Sequence, residues 1–95
     1  MQFITQEDEL HMDLPLQALY FYTSYIPFHK KMLIMIDKIE KKYNIPFIAI
    51  DTDQFKNQCK RFSVVSLPTI IVFSGGTEIQ RIDGIITKKL FNNIF

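Results

Sequence analysis

A single cysteine, Cys59, is all the thiol this sequence carries. One thiol closes no disulfide within its own chain, so no disulfide framework staples the fold. Scarce cysteine suits a reducing compartment. A dominant charge is lacking too. Eleven Lys and Arg stand against ten Asp and Glu, a net +1, which leaves no overall field to draw nucleic acid, a membrane surface or an acidic partner. Long hydrophobic runs are also missing. The uncharged stretch Leu14 to Phe28 contains two prolines, a Gln, a Thr and a Ser, and Phe62 to Thr77, one residue longer, holds a proline and two glycines; both are too short to span a bilayer. The opening residues, MQFITQEDEL, are acidic and hold no apolar segment with a small-residue cleavage site, unlike a secretory signal. A soluble, cytoplasmic protein is expected.

What is present is apolar. Ninety-five residues fill one domain, 1–95, with no second domain, repeat, linker or low-complexity tract. The apolar share is 47%, with nine Phe and four Tyr, which suits an ordinary packed core. For so short a chain the buried area is only marginally sufficient.

The pattern along the chain predicts alternating elements. Gln2–Thr5 reads as a short strand. The acidic stretch Gln6–Asp13 has room for a helical turn that breaks before Pro15. Ala18–Tyr22, ALYFY, is dense in strand formers without polar alternation, as in a strand buried on both faces. From Pro27 the period becomes helical: Met32, Leu33, Ile36, Ile39 and Tyr43 share one stripe, and Lys30, Lys31, Asp37, Lys38 and Lys41 lie opposite. Pro27 suits a first helical turn, and Asn44 and Pro46 mark the end. Phe47–Ile50 is a second apolar strand, closed by D-T-D. Phe55–Phe62 reads as a short helix with Phe55, Cys59 and Phe62 near one face. Thr69–Phe73 is a third buried strand, Ser74-Gly75-Gly76 a hairpin turn, and Thr77–Asp83 a half-exposed strand with Ile79 and Ile82 set against its polar residues. Thr87–Phe95 reads as a last helix, capped by Thr87, with Leu90, Phe91 and Ile94 on one side.

Three segments carry a resemblance. F-Y-T-S-Y-I-P-F-H-K resembles the thioredoxin stretch in which an aromatic strand runs into W-C-G-P-C-K. SVVSLPTIIVF, residues 63–73, resembles that family's segment with a cis-proline before a buried strand. FSGGTEIQRIDG, residues 73–84, resembles its terminal hairpin and following glycine. The resemblance covers nearly the whole chain. It implies an α/β thioredoxin fold, a mixed central sheet of four to five strands flanked by helices. It also implies a cis peptide at Leu67-Pro68.

The same resemblance shows where the chemistry departs. Ile26 and His29 take the places of the two cysteines, with Pro27 and Phe28 between them. Tyr20 takes the place of the buried acid, Ala49 that of its lysine, and Ile34 that of the proline that kinks the helix. Disulfide exchange needs an attacking thiolate and a resolving thiol; neither Ile26 nor His29 supplies one.

Other candidates read more plainly. His29 at a helix start is expected to have a lowered pKa, and one histidine with no Cys, Asp or Glu nearby makes a poor metal site. Cys59 between Lys56 and Lys60 has a lowered pKa if exposed, but its apolar neighbours favour a buried or boundary thiol. The lysines of 30–42 read as a solvated helix face with Asp37 and Glu40 interspersed. The aromatics of residues 20–28 alternate poorly with Lys or Arg and do not suit base stacking.

The expected site is therefore a surface. Tyr25, Ile26, Pro27, Phe28, His29, Leu67, Pro68 and Ile85 come from three loops that the implied fold brings together, and contiguous apolar patches mark interaction sites. Alternatively, Phe28 tucks inward and the patch is smaller. The expected function is a redox-inactive protein that binds a protein, an extended peptide or a second copy of itself through the former active-site groove, or that serves as a subunit of a complex. The rival is an oxidoreductase working through Cys59 alone or with a thiol from glutathione or a partner. No cofactor, metal, nucleic acid or membrane is expected.

Overall fold

The computed structural model describes residues 1–7, 10–85, 87 and 89. Among them lie β1 (Gln2–Phe3), β2 (Gln17–Tyr22), α1 (His29–Tyr43), β3 (Phe47–Asp51), α2 (Lys56–Arg61), β4 (Thr69–Ser74) and β5 (Thr77–Asp83). The strands form one sheet in the order β1-β3-β2-β4-β5. β3 pairs parallel with both β1 and β2, while β4 runs antiparallel to β2 and β5. This is the thioredoxin fold, with a mixed five-stranded sheet.

Period-2 alternation splits the core between two faces. Ala18 and Tyr20 of β2 face α1, where Met32, Ile36 and Ile39 are buried beside Phe47, Ile70 and Ile82. Leu19 and Phe21 point the other way, into a cluster with Ile4, Ile50, Phe55 and Phe73 that Cys59 and Phe62 help to cover. Ile36 is fully buried, and cutting such a side chain back to Ala costs about 2–5 kcal/mol.

Several boundaries differ from the sequence expectation. β1 ends at Phe3, one residue before Ile4, which is buried and still donates its N–H to the Ala49 carbonyl at 3.1 Å. The described residues of Gln6–Asp13 form bends and turns, not a helical turn. Gln17, fully buried, anchors this segment by donating from Nε2 to the His11 carbonyl at 2.8 Å. Pro27 precedes α1 and does not sit in its first turn. The Ile26 N–H first bonds the Thr23 carbonyl at 3.2 Å, and Phe28 then takes φ +63° to deliver the chain into the helix. A left-handed bulky residue costs about 1–2 kcal/mol. Asn44, at φ +54°, closes the other end, where asparagine is well tolerated.

At the far edge Gly75 and Gly76, at φ +55° and +84°, make the tight hairpin turn. Ile79 is not half-buried alongside Ile82 as the pattern suggests. Val72 pairs with Gln80 and Phe73 with Glu78, so Ile79 is the extra residue of a bulge. It is 53% exposed, while Ile82 is buried opposite Ile70. Arg81 reaches back across the sheet edge: its guanidinium donates to the Phe62 carbonyl at 2.7 Å and to Glu78, tying β5 to the end of α2. The helix expected over residues 87–95 falls almost wholly outside the described residues.

Candidate functional site

Tyr20 and Tyr22 are two residues apart on β2, so both rings face α1. They stack with centroids 5.3 Å apart. His29, the first residue of α1, lays its imidazole on Tyr22 at 4.6 Å and nearly parallel, with an interplanar angle of 13°. Its Nδ1 lies 3.1 Å from the Tyr20 hydroxyl. Asp51, at the end of β3, carries the neighbouring negative charge.

Electrostatics fix the protonation of this stack. Burial, and then the nearby Tyr22, push the Tyr20 phenol far up. Burial, and then Asp51, raise Tyr22. Burial lowers His29, with Asp51 opposing it. At neutral pH the imidazole is therefore neutral and the phenol protonated. Tyr20 is fully buried, and its hydroxyl and Nδ1 share one hydrogen bond; with the phenol as donor the ring proton lies on Nε2.

Around this stack runs the turn. Tyr25 is 87% exposed and Phe28 57% exposed, whereas Ile26 is half-buried. Phe28 does not tuck inward; Lys31 Nζ sits 5.3 Å from its ring centroid. Ser24, Ile26, Phe28, His29, Lys30 and Lys31 line an open groove of about 480 Å³. Phe28 also lines a second groove, of about 390 Å³, with Lys31, Met32, Met35 and Ile85.

The expected residues are thus only partly brought together. Ile26, Phe28 and His29 meet in one groove, and Ile85 joins through Phe28. Pro27 and Tyr25 stand exposed on the turn. The Leu67-Pro68 peptide is cis, Pro68 is buried, and its carbonyl accepts the Gly84 N–H at 2.8 Å. Leu67 is half-buried and packs against the Leu19–Phe21 cluster on the sheet's other face. Reasoning from sequence missed the Tyr20–His29 bond and the part played by Tyr22, Lys31 and Met35. The even spacing of Tyr20 and Tyr22 was the available signal.

Cys59 lies apart from this groove. It is half-buried in α2, packed against the cluster on the opposite face of the sheet. Burial raises its pKa most; its own backbone contact lowers it, and Glu7 raises it. No three His, Cys, Asp or Glu residues are grouped as a metal site among the described residues. No helix among those residues is long and apolar enough to cross a membrane.

The sequence model of the family Thioredoxin matches residues 5–95. The chain belongs to the thioredoxin family. It is 24% identical over 85 residues to the thioredoxin of Synechocystis sp., a match that covers 87% of this chain and 78% of that one. It is 31% identical over 71 residues to mitochondrial thioredoxin-2 of Schizosaccharomyces pombe, covering 74% of this chain and 53% of that one. Its structure resembles that of the germline-specific thioredoxin Deadhead of Drosophila melanogaster, with a TM-score of 0.77 and 26% identity over 87% of this chain and 81% of that one. This thioredoxin-family chain carries I-P-F-H at the turn between β2 and α1, with no thiol in it.

Proposed function

We propose that this thioredoxin-family chain performs no dithiol exchange and instead binds a protein or an extended peptide through the surface around residues 24–31 and Ile85. The observation that carries the reading is the separation of thiol from turn. The turn has none, and the single thiol is half-buried on the other face of the sheet with its pKa raised by burial. Exchange needs a thiolate, and a burial-raised thiol supplies little at neutral pH. The same fact weighs against a monothiol oxidoreductase working through Cys59.

Exposure of Tyr25, Phe28 and Ile85 supports binding, because large apolar side chains gain most from being covered. Two measurements test the proposal. Insulin reduction with a dithiol donor should stay at the buffer rate; a higher rate that Cys59→Ser abolishes overturns the redox part. Panning a library of extended peptides on the intact protein should enrich binders that Tyr25→Asp weakens without altering the circular dichroism. If no peptide is enriched, or if the binders ignore Tyr25→Asp, this surface is not the binding surface.

A further inference from the structure

The exposed side of α1 continues the groove at the turn. Lys31, Ile34, Met35 and Lys38 line a third groove. They fall at i, i+3, i+4 and i+7, a single stripe along the helix. Lys31 lines all three grooves; Phe28 and Met35 each line two. Together they make one channel from Ser24 to Lys38 with an apolar floor and a lysine rim. Among the described residues no acidic side chain lines it.

Asp37 and Glu40 interspersed among the lysines suggest a solvated, self-neutralised face. The structure engages both acids elsewhere. Asp37 pairs with Lys41 at 3.0 Å. Glu40 turns inward to accept the Phe47 N–H at 2.7 Å and to pair with the Met1 ammonium. Lys30, Lys31 and Lys38 make no ion pair among the described residues. Phe28 and Ile34, 57% and 59% exposed, lie among them. Three cations with no carboxylate partner among the described residues, beside the exposed Phe28 and Ile34, define the complement: carboxylates flanking apolar residues.

We propose that this channel docks an acidic, amphipathic segment of a partner protein, with Lys30, Lys31 and Lys38 facing its carboxylates and Phe28, Ile34 and Met35 taking its apolar side chains. The inference rests on the reading of the chain as a binding module and names the partner's chemistry. Lys31 and Lys38 stand about 10 Å apart along the helix, the reach of about three residues of an extended segment. Acids at that spacing with apolar residues between them meet both ends of the stripe. Exposed cations are screened beyond about 8 Å at physiological ionic strength, so the contact weakens as salt rises.

The test is fluorescence anisotropy of a labelled synthetic peptide built of Glu-Leu-Phe-Glu repeats, titrated with the full chain. Lys31→Glu/Lys38→Glu should weaken binding roughly tenfold or more, since each lost attraction becomes a repulsion. Lys56→Glu/Lys60→Glu, on α2, should leave it unchanged. A Gln-for-Glu peptide should bind more weakly and ignore the lysine changes. Unchanged affinity in Lys31→Glu/Lys38→Glu, with circular dichroism intact, overturns the proposal. If peptide binding is then still lost in Tyr25→Asp, the binding-module reading stands and only the acidic-partner inference fails. Lysine-dependent binding to phosphatidylserine vesicles without binding to the peptide overturns it in favour of a membrane surface. Lysine-dependent self-association in sedimentation, again without peptide binding, overturns it in favour of a second copy.

Discussion

The Tyr20 hydroxyl reaches Nδ1 of His29 at 3.1 Å, bonding the middle of β2 to the first residue of α1. The bond satisfies a phenol that is fully buried and holds the imidazole flat on Tyr22. It thereby ties the first residue of α1 to the sheet. Tyr20→Phe keeps the ring and removes the bond. A net hydrogen bond is worth about 0.5–1.5 kcal/mol, and the half-buried imidazole has water as a substitute partner. The loss should sit at the lower end of that range in urea unfolding. If the phenol is the donor to Nδ1, the bond favours the neutral ring, and the His29 pKa should rise when it is removed. A histidine-resolved NMR titration of both proteins checks the direction.

Stability should also depend on pH through His29. Burial lowers its folded pKa, so the folded state takes up a proton less readily than the unfolded chain. Above the unfolded value, about 6.5, the residue contributes no difference. As pH falls through that value the unfolded state binds more protons, and stability falls. The decline ends once pH is below the folded value. His29→Gln should flatten this part of the curve. Equal slopes for the two proteins between neutral pH and pH 5, measured by urea unfolding, count against a lowered pKa.

Much of this architecture was legible in the sequence. ALYFY and TIIVF announce strands buried on both faces, and the stripe Met32, Ile36, Ile39 is the buried face of α1. What was not legible depends on contacts distant in sequence. The inward turn of Leu67 follows from the cluster beneath it on β2 and β4, not from its own neighbours. The bulge at Ile79 follows from pairing with β4. Phe28 in a left-handed conformation contradicts local preference, so no propensity rule would place it there. The Tyr20–His29 bond needs the strand's facing and the helix's start at once.

The hairpin glycines should respond unequally to alanine. A Cβ on Gly76 would meet the Met12 carbonyl at 2.9 Å, whereas one on Gly75 meets open space. Both residues have positive φ, which costs alanine about 1–2 kcal/mol. Gly76→Ala must in addition displace the segment that crosses at Met12. It should lose clearly more stability than Gly75→Ala, by about 1 kcal/mol or more. Equal losses in thermal or urea unfolding would show that the crossing segment yields freely.

Cys59 should react slowly. Its thiol is half-buried and its pKa is raised chiefly by burial, so little thiolate is present near neutrality. Alkylation by iodoacetamide at neutral pH should be slower than for a free cysteine, and should approach that rate in denaturant. A native rate faster than that of free cysteine would restore the monothiol reading.

Variants that separate binding from folding must respect where each loop residue points. Leu67 is half-buried against the cluster around Leu19 and Phe21. Leu67→Asp removes that packing and sets a charge at its edge, which should cost about 1–3 kcal/mol. Loss of binding in that variant would be ambiguous. Tyr25 is 87% exposed, and substitution at such a site usually changes stability by less than about 0.5 kcal/mol. Tyr25→Asp should therefore leave the unfolding midpoint in place while placing a negative charge beside the groove of Phe28, His29, Lys30 and Lys31. A peptide that binds here should lose affinity in Tyr25→Asp, and an acidic one should lose more than an uncharged one, since the new carboxylate repels it. If Tyr25→Asp shifts the midpoint as far as Leu67→Asp does, the turn contributes to the core. A presented binding edge would then be the wrong description of it.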